Sequence, residues 1–256
     1  MPETGRYLYA ITRNLDPEVL AGVPGLDGGR LEVVEHRDLA VVVSSVDLAE
    51  YGEEGLTRNL ERIEWLEQVA RGHDAVVQAL AVHGPTAPLR LATICHDDAG
   101  VRSRVDEWHA ALQQVLDRVD GRMEWSVKVL TPARKPEPAA AAPAGGQKVG
   151  GAEYLRRKKA QTEARLADDE VALHTVEQIH ESLASRCVAS RRLSPQDPRL
   201  TGHEGTMALN AAYLVDTADE QAFTSEVQAL QEAHPGLVLD HRGPWPPYSF
   251  AVLEQG

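Results

Sequence analysis

The chain has 256 residues, 43% of them hydrophobic and 25% charged, with 26 Lys and Arg against 39 Asp and Glu for a formal charge of −13. These are the proportions of a globular protein, so a core of Val, Leu, Ile and Ala is possible and wholesale disorder is excluded. So much negative charge opposes binding to nucleic acid or to an anionic membrane surface, because cations supply the affinity for both.

Arg6 to Thr12 alternates apolar and polar residues, as a half-buried strand does. Leu31–Glu35 and Leu39–Ser44 flank His36-Arg37-Asp38 and predict a hairpin. From Thr57 to Val82, the residues Leu60, Ile63, Leu66, Val69, Val76 and Leu80 recur mostly every three or four positions. That spacing is one face of a long amphipathic helix, with Gly72 as its weak point. Leu89–Cys95, after Pro85 and Pro88, reads as a buried strand, and Val101–Val119 as a helix burying Val105, Trp108, Leu112 and Val115. Met123–Leu130 alternates again and closes this half. The order β-β-β-α-β-α-β predicts a two-layer α+β sandwich.

Thr131–Gly151, TPARKPEPAAAAPAGGQKVGG, loses all apolar periodicity and reads as a linker, stiff at first and then flexible. It separates an expected domain of residues 1–130 from one of residues 152–256. Residues 1–130 hold 13 basic and 22 acidic side chains, −9, and residues 131–256 hold 13 and 17, −4. Most of the acidity therefore belongs to the first half.

The second half opens with helical sequence from about Ala152 to Arg186, polar first and then apolar through Leu173, Val176, Ile179 and Leu183. Met207–Val215 predicts a strand, Asp219–Ala233 a helix burying Phe223, Val227 and Leu230, and Leu237–His241 a strand after the Pro235-Gly236 turn. A helical crossover makes those two strands parallel members of one sheet. Gly243-Pro244-Trp245-Pro246-Pro247-Tyr248 interrupts, and Ser249–Leu253 can add a further strand. The expected fold class is α+β throughout: two small two-layer α/β sandwiches, the second with a long helical extension.

Cys95 and Cys187 are the only cysteines and form no CxxC pair or disulfide framework, which suits a reducing cytoplasm. MPETGRYLYAIT lacks the basic start and long apolar stretch of a signal peptide. The longest aliphatic run, Leu39–Val43, is far short of the roughly 20 residues a spanning helix needs. A cytoplasmic protein without a membrane segment is expected.

Few residues suggest chemistry. His73-Asp74 resembles half of a divalent-metal site, but no HExxH spacing or second helical doublet accompanies it. In Cys95-His96-Asp97-Asp98, an aspartate at a strand-to-helix turn has the ordinary task of capping the helix that follows. A metal-dependent hydrolase using His73, Asp74, His96 and Asp97 is the enzymatic alternative. No phosphate-binding glycine loop or GxSxG elbow is present, so no cofactor, metal or active site is expected. Two other segments stand out. Tyr154-Leu155-Arg156-Arg157-Lys158-Lys159 concentrates four cations at the start of a helix, where the macrodipole disfavours them. In Gly243–Tyr248, three prolines hold Trp245 and Tyr248 stiffly, for display or for wedging into a core.

RYLYAIT, HDAVV…APLRLATI, GRMEWSVKV, GGAEYLRRKK and RGPWPPYSF occur in this order along almost the whole chain. Together they resemble the GvpF/GvpL family of gas vesicle proteins. The resemblance implies a ferredoxin-like N-terminal domain and a modified ferredoxin-like C-terminal domain with a long helical extension. It also implies a non-enzymatic factor that assembles gas vesicles or forms a minor part of them, in contact with the major gas vesicle structural protein and other gas vesicle accessory proteins. Arg156, Arg157, Lys158, Lys159, Trp245 and Tyr248 are the candidate contacts. A small-ligand sensor on tandem ferredoxin-like domains is a further alternative. Leu91-Ala92 departs from the family's more usual Phe-Gly, and the Ala/Pro linker is longer than usual.

Overall fold

A computed structural model describes residues 3–132, 151–195 and 205–251, without the side chains of 151–154, 157 and 164–169. Most of the expected linker thus lies outside the described residues, as does His203-Glu204, for which the sequence predicts only a solvated loop. The protein is a mixed α/β chain with two antiparallel sheets. Its described residues up to Trp125, Leu214–Ala218 and those from Gly243 onward form one compact unit; Ser126–Tyr213 and Asp219–Arg242 form the other. The stretch expected as a domain at 152–256 therefore contributes to both units.

The first sheet contains β1 (Thr4–Thr12), β2 (Leu31–His36), β3 (Leu39–Asp47), β4 (Thr86–Pro88) and β5 (Ile94–Cys95). Its order is β2-β3-β1-β4, with β5 also on β1, and every pairing is antiparallel. The helices that pack on it are α3 (Ile63–Ala81) and α4 (Asp98–Val119), preceded by two short helices, α1 (Leu48–Tyr51) and α2 (Glu53–Asn59). Leu8, Ile11, Val41 and Val43 meet Val101, Val105, Leu112 and Leu116 of α4. On the opposite face, Tyr7, Tyr9, Val42 and Val46 meet Val69, Val76, Val77 and Leu80 of α3. Within the expected α+β class, helices thus cover both faces of this sheet, and β1 is buried along most of its length instead of half-buried. A register shift between Leu8 and Ala10 brings Ala10 to the same side as Tyr9.

Two expected elements are each broken. The helix expected over Thr57–Val82 stops at Asn59 and restarts at Ile63. Buried Asn59 donates from Nδ2 to the Glu50 carbonyl at 3.2 Å, and Arg62 takes an extended conformation. An asparagine side chain that competes for backbone partners ends a helix in this way. Leu60 and Ile63 are consequently 49% and 76% exposed instead of lying on the core face. Gly72 sits inside α3, where a Cβ would come within 2.8 Å of Leu26 Cδ2 and the Leu26 side chain would have to shift. Of the strand expected at Leu89–Cys95 only Ile94–Cys95 forms; Leu91 and Ala92 make a turn in which Ala92 has φ 61°.

The second sheet has the order β7-β8-β6-β9, built from β6 (Arg122–Thr131), β7 (Ala189–Arg192), β8 (Thr206–Asp216) and β9 (Val238–Trp245). β6, expected to close the first half, instead lies between β8 and β9 in this sheet. The two strands joined by the helical crossover are therefore not direct neighbours. α5 (Gly151–Ala184) packs on α6 (Glu220–Ala233). Val176, Ile179 and Leu183 of α5 are buried with Tyr213, Phe223 and Val227, whereas Leu173 is 66% exposed. The expected strand at Ser249–Leu253 is absent over 249–251, which form turn and irregular backbone.

Candidate functional site

In the first unit, sequence alternation puts Tyr7 and Tyr9 on the face of β1 that meets α3, and α3 brings His73 to them. The Tyr7 hydroxyl lies 3.0 Å from His73 Nδ1 and accepts from the Ala92 N–H at 3.2 Å. The Tyr9 hydroxyl is 2.8 Å from Ser44 Oγ and accepts from the Leu26 N–H at 2.7 Å. Tyr51 packs edge-on against Tyr7 with centroids 6.0 Å apart, donates to Asp27 at 3.0 Å, and lies 5.3 Å from Trp65. Tyrosine rings whose hydroxyls are all partnered make a stiff core.

The segment after β9 closes over this centre. The Tyr248 ring lies 6.4 Å from that of His73, and its hydroxyl donates to Asp74 Oδ1 at 3.1 Å. Ser249 donates from both its backbone N–H and its hydroxyl to Glu124, each at 2.7 Å, so this buried carboxylate is well satisfied. Gly243 permits the approach, since a Cβ there would come within 2.9 Å of the Glu124 carbonyl. Beside Tyr248 runs an open groove of about 550 Å³ lined by Ala70, Arg71, His73, Asp74, Leu89 and Leu91.

Burial dominates the electrostatics of the groove. It lowers the His73 pKa to about 4, against the opposing pull of the Asp74 carboxylate and the Leu89 backbone. His73 is therefore neutral near pH 7, and its ring is a packing and hydrogen-bonding group there. Burial also raises the Tyr7 and Tyr248 hydroxyls, Tyr248 further through the negative charge of Asp74.

Of the four residues in the enzymatic alternative, the structure brings His73 and Asp74 to this groove and leaves His96 and Asp97 at the start of α4. Asp97 caps that helix, its Oδ1 accepting from the Gly100 N–H at 2.8 Å. Among the described residues no three His, Cys, Asp or Glu side chains converge as a metal-binding group. Cys95 and Cys187 are free thiols, and burial raises the pKa of each.

The candidate contacts fall into two places. Arg156, Lys158 and Lys159 are exposed on the N-terminal part of α5, where Lys159 lies 3.8 Å from Glu163 one turn on. The Arg157 side chain lies outside the described residues. The same helix exposes Leu155 (65%), Val171 (67%) and Leu173 (66%), so cations and bare aliphatic side chains share it. Trp245 ends β9 at 42% exposed, and Tyr248 at 36% belongs to the first unit with His73. The sequence reading missed Tyr7, Tyr9, Tyr51 and Trp65. The two-residue spacing of Tyr7 and Tyr9 was a usable signal for a shared face.

Comparison with known proteins accounts for nearly the whole chain. The family of gas vesicle synthesis proteins GvpL/GvpF matches residues 5–252. Gas vesicle protein L of Streptomyces sp. (strain CB03234) is 39% identical, with 98% of this chain and 94% of the relative covered. Gas vesicle protein F of the same strain is 27% identical over 70% of this chain and 75% of its own length. The crystal structure of GvpF from Anabaena sp. PCC7120 shares the fold at a TM-score of 0.71 and 20% identity, covering 98% of both chains. No helix among the described residues is long and apolar enough to cross a membrane.

Proposed function

The chain belongs to the gas vesicle synthesis protein GvpL/GvpF family, and from that premise we propose that it is a non-enzymatic assembly factor, or a minor vesicle component, that holds the small hydrophobic shell protein in the cytoplasm while vesicles form. Membership gives it a gas vesicle role; binding of the shell protein is the specific reading. The observation that carries it is helix α5, where Leu155, Val171 and Leu173 stand 65–67% exposed on the helix that also bears Arg156, Arg157, Lys158 and Lys159. Aliphatic side chains left in water on a helix that also carries cations suit a partner that is itself apolar and amphipathic. Trp245 and Tyr248 are the aromatic contacts of the same reading.

Co-purification with the major gas vesicle structural protein tests the proposal. The wild type is expected to retain the shell protein, and a variant combining Leu173→Ser, Lys158→Glu and Lys159→Glu to retain at least roughly tenfold less at an unchanged melting temperature. Equal retention by that variant, or normal vesicles after deletion of the gene, sinks the reading.

A further inference from the structure

Strand β2 ends the first sheet, with β3 on one side and no strand among the described residues on the other. Its register identifies which backbone groups are left over. The turn at Arg37-Asp38 makes His36 and Leu39 the closing pair, and that pair is hydrogen-bonded in a two-residue hairpin. Alternation then directs Glu32, Val34 and His36 toward β3. The N–H and C=O groups of Leu31, Val33 and Glu35 point away from it. No described residue hydrogen-bonds to these six groups.

A groove of about 650 Å³ lies along this edge. Pro17, Leu20 and Val23 line one side and Arg30, Leu31, Glu32 and Val33 the other, so apolar and charged side chains share it. Leu31 and Val33 share a face with Glu35, which is exposed and has no ion pair among the described residues. A second copy of this chain is a poor occupant, because each copy carries −13 overall and its residues 1–130 alone carry −9. The same charge favours a cationic one.

We propose that the free edge of β2 takes up an extended segment of a partner protein by strand addition, with apolar residues opposite Leu31 and Val33 and a Lys or Arg opposite Glu35. Main-chain hydrogen bonds to the three outward-facing residues supply the affinity, and the side chains of Leu31 and Val33 with Glu35 supply the selectivity. This interaction is separate from the one proposed for α5.

The test uses the full chain and a fluorescein-labelled peptide of about eight residues alternating valine and lysine. Fluorescence anisotropy should show saturable binding that weakens at least roughly tenfold in Val33→Pro, which deletes one outward N–H where an edge strand tolerates proline. Glu35→Lys should reverse the preference toward a valine and glutamate peptide. Should Val33→Pro fail to fold, amide exchange on the wild type decides: Leu31, Val33 and Glu35 should exchange fast alone and slow down when the peptide is added. Absence of saturable binding, equal binding by folded Val33→Pro or by a peptide N-methylated at every residue, or edge amides already protected in the monomer would each overturn the proposal.

Discussion

The aromatic centre of the first unit and the exposed part of α5 use large apolar side chains in opposite ways. Tyr7 is 0% exposed, packed against Tyr9, Tyr51 and His73, and its hydroxyl is hydrogen-bonded. Leu173 is 66% exposed on a helix whose next turns bury Val176 and Ile179. Both residues lie in regular secondary structure, so propensity does not separate them; the presence of a packing partner among the described residues does. The difference assigns stability to the first region, and the proposed contact with the shell protein rests on the second.

Truncation at the two places gives the largest contrast. Tyr7→Ala removes a fully buried ring and is expected to cost about 4 kcal/mol in urea unfolding. Leu173→Ala is expected to change stability by less than about 0.5 kcal/mol. Comparable losses would mean that Leu173 has a partner within the chain and would end the comparison.

Acid should distinguish the regions next. Burial holds His73 at about 4, below the 6.5 of a free histidine, so the unfolded chain binds a proton more readily between those values. Stability from this site is fully present above about pH 6.5 and is lost as pH falls toward 4, by about 3 kcal/mol. His73→Gln should flatten the pH dependence of unfolding free energy over that window, which paired urea titrations of wild type and variant measure. Parallel curves would show that His73 is protonated in the folded protein. A smaller loss, about 2 kcal/mol, is expected for Ser249→Ala, which takes one of two Ser249 hydrogen bonds from the buried Glu124 carboxylate.

Local physics made some of this legible in the sequence. The β2–β3 hairpin shows because two alternating runs flank its turn, and the Asp97 cap because its acceptor and the Gly100 N–H lie three residues apart. Long-range pairing left no comparable mark. Tyr248 meets Asp74 across 174 residues, and β6 looks the same in sequence whichever sheet it joins. Burial of β1 on both faces was hidden for a related reason. Tyr7 and Tyr9 carry polar tips that read as a solvent face until Ser44, Leu26 and His73 are seen to satisfy them. On α5 the helical period is clear, but a period does not say where packing stops, and Leu173 belongs to the same apolar run as the buried Val176.

The smallest expected effect concerns how the aromatic centre is held from below. Ala92 sits at φ 61°, the left-handed region that costs a residue with a Cβ about 1–2 kcal/mol, between β4 and β5. Its N–H donates to the Tyr7 hydroxyl at 3.2 Å, so the turn cannot relax to negative φ without disturbing that hydroxyl. Ala92→Gly removes the strain and adds freedom to the unfolded chain worth about 0.5–1 kcal/mol, for a net gain of about 0.5 kcal/mol. Thermal unfolding should register this as an increase of about 1–2 °C. A decrease would mean that the Ala92 methyl contributes more through packing than its backbone conformation costs, and that the break between β4 and β5 is not strained.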